Sequence, residues 1–126
     1  MMYAEIYSDA NGVSHFRDAE VSFASTELAS KGNPVSTSNF QPAVAGFVSV
    51  PAVWDSDWHI SPGDGFDVLL LGNIEIDVGS GEVRCFSPGE VWRSTDVSGK
   101  GHISRVVGTI DAKVYMTNYA RFDGET

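Results

Sequence analysis

The chain has 126 residues and a formal net charge of −9, from 17 acidic and 8 basic side chains, with 42% hydrophobic and 11% aromatic content. That length is one domain's worth of core. The acidic balance repels phosphate backbones and anionic bilayers, which argues against nucleic-acid and membrane partners. No apolar run approaches the ~18 residues of a membrane span. The N-terminal MMYAEIYSDANG has no basic or apolar signal region, so a cytoplasmic location is expected. Cys85 is the single cysteine, and without an intrachain disulfide it agrees with a reducing compartment. Thirteen glycines and five prolines indicate frequent turns.

In chain order, Tyr3–Tyr7 reads as a short strand ended by the turn cluster Ser8-Asp9-Ala10-Asn11-Gly12. Val13–Ala24 reads as a second strand, with Ala19, Val21 and Phe23 on one face and Asp18, Glu20 and Ser22 on the wet one. A helical turn over Thr26–Ser30 and a polar loop over Lys31–Pro42 follow. Strand signals resume at Ala43–Ala52, and Trp54 and Trp58 then flank the acidic turn Asp55-Ser56-Asp57, with His59 next. After the turn cluster Ser61–Gly65, the run Phe66–Leu71 is apolar on both faces apart from Asp67, so it needs cover on each side. Ile74, Ile76 and Val78 alternate with Asn73, Glu75 and Asp77, and Gly79-Ser80-Gly81 turns into Glu82–Phe86, making 73–86 a hairpin. Ser87-Pro88-Gly89-Glu90 turns a corner into Val91–Ser94; His102–Ile110 and Lys113–Thr117 are the last two strands. About ten short strands without a convincing helix indicate an all-β sandwich or barrel.

The run LLLGNIEIDVGSGEVRCFSPGEVW, followed by His102, resembles the core of a small single-domain cupin. Gly72, the 73–86 hairpin, the Pro88-Gly89-Glu90 corner and His102 carry the likeness, and the WDSDWH and SHFRDAEVSF segments are similar to a bacterial short-cupin subgroup. The resemblance implies a jelly-roll β-barrel as one domain over 1–126. Residues 1–42 would cover the barrel, 43–117 would form its core and 118–126 a polar tail. It also implies a homodimer and a lumen that holds a metal or a small molecule. Carried over residue by residue, the family's metal ligands fall on His59, Ser61, Gly65 and His102, so two of the four positions lack a ligand. A divalent Fe, Mn, Ni or Zn ion held by His59 and His102 alone would need further donors. The cofactor, if any, stays unassigned.

His59 and His102 are the leading candidates for one shared lumen. Two placements are open for Asp67. Inside an apolar lumen its pKa would rise toward a useful range, whereas at the rim it would be solvated. Arg93 could enter the barrel to pair with Asp67 or clamp a carboxylate, or it could face outward. Trp58, Ser61, Trp92 and Ser104 are expected ligand-binding positions, and Trp54 could also wall the pocket. His15 reads as structural, Arg84 and Arg105 as surface charges, and Cys85 as buried and inert. Three functions are carried forward. The first is a non-oxidative isomerase, cyclase or lyase acting through His59, Asp67, His102 and Arg93. The second is a metal-dependent, oxygenase-like cupin, and the third a non-catalytic binding domain.

Overall fold

A computed structural model describes residues 1–26 and 35–119, and among them there is no helix. The strands are β1 (Met2–Ser8), β2 (Ser14–Glu20), β3 (Ala24–Thr26), β4 (Val35–Thr37), β5 (Val44–Val50), β6 (Gly65–Leu71), β7 (Asn73–Asp77), β8 (Val83–Phe86), β9 (Val91–Ser94), β10 (Ile103–Val107) and β11 (Ala112–Asn118). A six-stranded sheet in the order β2-β1-β9-β6-β11-β5 faces a three-stranded sheet in the order β10-β7-β8. The two sheets do not close on each other, so the jelly-roll barrel is approximate. No described helix is long and apolar enough to cross a membrane.

Side-chain alternation decides what lies between the sheets. Every second residue of a strand faces the same way, and the inward sets are apolar: Ala4 and Ile6, Phe16, Leu69, Ile74 and Ile76, Phe86, Trp92, Val106, and Ala112 and Val114. Burying side chains of this size contributes roughly 1.5–3 kcal/mol each, which makes this cluster the main support of the fold. The 73–86 hairpin forms as its alternation demanded, with Ile74 opposite Phe86 and Ile76 opposite Arg84.

Four readings are corrected. Residues 1–42 do not simply cover a barrel, because β1 lies inside the large sheet between β2 and the parallel strand β9. In β2 the inward residues are Ser14 and Phe16, while Ala19 pairs with Tyr3 on the outer face. The apolar residues at 19, 21 and 23 sit at or past the end of the strand, where no second sheet stands over them. The loop expected from Lys31 to Pro42 contains β4, which pairs Val35 with Thr26 of β3; positions 27–30 of the expected helical turn lie outside the described residues. The polar tail begins later than expected, since Asn118 closes β11 and the Tyr119 amide bonds the Asp64 carbonyl at 2.7 Å. Residues 120–126 lie outside the described residues.

Candidate functional site

The three-stranded sheet covers only part of the six-stranded one, and a cavity of about 340 Å³ opens where the cover ends. Strand β6 shows the change within two residues. Leu69 is fully buried in the core, and Asp67, on the same face, lines the cavity. Trp92 and Ser94 reach it from β9, His102, Ser104 and Val106 from the β10 side, and Val114 and Met116 from β11.

The two histidines come from different segments and meet here. His59 and His102 form an isolated antiparallel bridge, their backbones exchanging hydrogen bonds of 3.0 and 2.9 Å. Their rings share one side of that bridge, with centroids 4.6 Å apart. Gly101 makes the approach feasible. It has a φ of +80°, and a Cβ there would lie 1.8 Å from the His59 carbonyl oxygen.

Each imidazole is held through Nδ1. His59 Nδ1 lies 2.9 Å from the Asp57 carbonyl, which can only accept, so Nδ1 carries the proton. His102 Nδ1 lies 2.5 Å from Oδ2 of Asp96, a side chain that is 0% exposed. Neither Nε2 has a hydrogen-bond partner among the described residues, so each is available to the cavity. Asp67 is the third titratable group. Desolvation raises its carboxyl pKa to about 7, against smaller opposing effects of charge on His102 and the Trp92 indole N–H.

Ser61 is buried at the cavity wall, but its hydroxyl donates to the Gly63 carbonyl at 2.7 Å. Ser104 and Trp92 line the cavity, as does Trp54, whereas Trp58 does not. The half-buried Trp58 ring instead carries the Lys100 ammonium 4.3 Å from its centroid, so this position is corrected to one outside the cavity.

Arg93 is also corrected. Register puts it opposite Phe66, on the face away from the cavity, while its neighbour Trp92 is opposite Asp67. There it makes a bidentate pair with Asp64, both bonds 2.8 Å, and cannot reach Asp67 or a bound carboxylate. Arg105 is bound by Glu75 and Asp77 at 2.8 and 2.7 Å, and Arg84 by Asp18 and Glu82. His15 bonds Asp9 at 2.7 Å and stacks on Tyr7. Cys85 is exposed rather than buried, because it pairs with Glu75 on the outer face of the small sheet while its neighbour Phe86 takes the inward one. Its thiol pKa is raised by desolvation and by Glu75, so it is a poor nucleophile.

The metal positions do not fit a metal. A structural or catalytic site needs three or four protein donors, and among the described residues no group of three His, Cys, Asp or Glu side chains is placed to hold an ion. Gly65, where the resemblance puts an acid or amide ligand, has no room for one: a Cβ would lie 1.9 Å from the Thr117 carbonyl oxygen.

Asp96 went unread in the sequence. It stands in the loop before His102 with no motif around it, and only chain closure turns its side chain inward.

No protein-family model and no curated protein matches the chain. Solved structures do. The Cnp3 cupin domain of Schizosaccharomyces pombe matches at 18% identity and a TM-score of 0.49, over 87% of this chain and 76% of that one. Protein NMB1881 from Neisseria meningitidis matches at 16% identity and a TM-score of 0.46, over 64% and 77%. A protein described as ethanolamine utilization protein Q from Salmonella typhimurium matches at 18% and 0.40, over 95% and 97%. These likenesses concern the fold alone. Strand order, the all-β content and the cavity between unequal sheets give the chain a jelly-roll-like fold, open along one side.

Proposed function

We propose that the cavity binds a small, uncharged organic molecule and moves a proton on it, as a non-oxidative isomerase, cyclase or lyase does. The observation that carries this reading is the meeting of two imidazoles, each with Nε2 unpartnered, and a buried carboxyl of pKa about 7 in one largely apolar hollow. Its volume of about 340 Å³ suits a small ligand. With Arg93 facing away and Arg105 neutralised by its carboxylates, no Lys or Arg lining the cavity is free to hold a carboxylate or phosphate.

In the simplest scheme a histidine Nε2 accepts a proton from carbon next to a carbonyl. The C–H bond breaks, the proton joins Nε2, and the electron pair passes into the carbonyl as an enolate. Asp67, in its protonated form below about pH 7, donates a hydrogen bond to the developing oxyanion. Return of the proton to a different atom completes an isomerisation.

Deuterium exchange into small cyclic ketones in D2O, followed by proton NMR, tests the scheme. Exchange should fall as pH climbs through about 7 and Asp67 ionises. Asp67→Asn should lower it by about 10²-fold or more and flatten that limb. Exchange no faster than in buffer, with His59 and His102 ring signals unmoved by any ketone, would favour a non-catalytic domain instead.

The outer face of the large sheet supports a homodimer. Phe47, 79% exposed, stands beside Tyr115 and continues to Leu70. A second copy of the chain is the occupant we infer for it.

A further inference from the structure

Asp96 is fully buried in a loop, and its two oxygens are treated unequally. Oδ2 takes the bond from His102 Nδ1, and Oδ1 has no partner. A buried carboxylate with a free oxygen is costly, and such groups persist where they serve a neighbour. The Asp96 backbone fixes it to the opposite segment as well, since its carbonyl accepts from the Ser61 amide at 3.0 Å. The loop that carries Asp96 is therefore tied to both histidine-bearing stretches.

We propose that Asp96 is the positioning residue of the site. It holds His102 with the proton on Nδ1 and the lone pair of Nε2 toward the cavity, which makes His102, rather than His59, the group that accepts the substrate proton. The inference rests on the proton-transfer reading above for its chemistry, though not for its geometry. His59 is backed by a neutral carbonyl, so a proton arriving on its Nε2 would leave a cation with no countercharge in contact. When His102 takes that proton, the bond broken is the substrate C–H and the bond formed is Nε2–H. The new imidazolium is then paired with Asp96, which keeps its own charge and gains no proton. The charged and titratable groups around His102 are Asp96 behind it, Asp67 across the cavity and the His59 ring beside it.

Nitrogen-15 NMR of the full chain labelled at histidine reads the tautomer directly. Wild-type His102 should show a protonated Nδ1 and a bare Nε2 when neutral. In Asp96→Asn the amide can present N–H to Nδ1, so a substantial Nε2–H population should appear, with exchange of the ketone probe falling about 10²-fold or more. Asp96→Glu, which keeps the carboxylate, should restore the Nδ1–H signature. A wild-type spectrum with the proton on Nε2 would overturn the proposal with no variant needed, as would an Asp96→Asn spectrum identical to wild type. Because the tautomer is read without ligand, absence of exchange in every sample defeats the proton-transfer reading separately, while the spectra still decide what Asp96 does.

Discussion

The two halves of the large sheet have the same hydrogen-bonded backbone and opposite fates. Where β1, β9 and β6 lie under the small sheet, inward residues such as Ile6, Leu69 and Trp92 are buried. At the other margin β5 pairs along its whole length with β11, yet nearly every residue from Val44 to Val50 is exposed. Pairing alone does not make a core; a second layer does. The cavity occupies the boundary between these regimes, where inward positions no longer have to be apolar to be sheltered. That is why the Asp67 carboxyl and the His102 imidazole can be buried there, with the exposed His59 ring beside them.

The largest effect should come from truncating the covered half. Leu69→Ala removes a fully buried side chain and should cost about 2–5 kcal/mol in urea unfolding. Val48→Ala, on the inward face of β5 but 36% exposed, should cost less than about 1 kcal/mol. Equal losses would mean that the margin is covered in solution and that the contrast is false.

Much of this contrast was legible beforehand. Alternation in 73–78 located the small sheet's inner face, and the doubly apolar run 66–71 demanded cover on both sides but receives it on the inner face alone, where Leu69 is buried while Leu70 stays exposed. The resemblance brought His59 and His102 together across the chain. What could not be read was which layer ends where. Cys85 and Val83 share a face, but it is the outer face of an edge strand, where Cys85 stands beside Glu75 and stays exposed. Arg93 could have been placed from its neighbours: Trp92 and Ser94 are the inward pair, so the residue between them points away. Asp96 left no trace, because the burial of a loop carboxylate depends on the closure of distant segments rather than on local pattern.

The next effect belongs to the boundary itself. Asp67 has a folded pKa raised from 3.8 to about 7, mainly by desolvation. Between those two values the folded chain holds a proton that the unfolded chain has lost, so stability falls as pH rises through that window and levels off above it. Asp67→Asn removes this dependence. Compared with the variant, the wild type should lose on the order of a few kcal/mol between pH 4 and 7, measured as the difference between their chemical-denaturation curves. Parallel curves would place Asp67 in water, on the exposed side of the comparison.

The smallest change in stability should come with the largest change in assembly. Phe47 projects from the outer face of β5 opposite Tyr115, where the single chain gives it little to pack against. Phe47→Glu should therefore shift monomer stability by no more than about 0.5 kcal/mol. If a second copy covers this face, the same substitution places a charge in an apolar interface and should move sedimentation from dimer to monomer at micromolar concentration. Asp57→Ala, an exposed change in the loop that leads to His59, offers the control, since it alters charge without touching that face. A wild-type chain that sediments as a monomer throughout would leave the bare outer face of this margin as a property of the isolated protein.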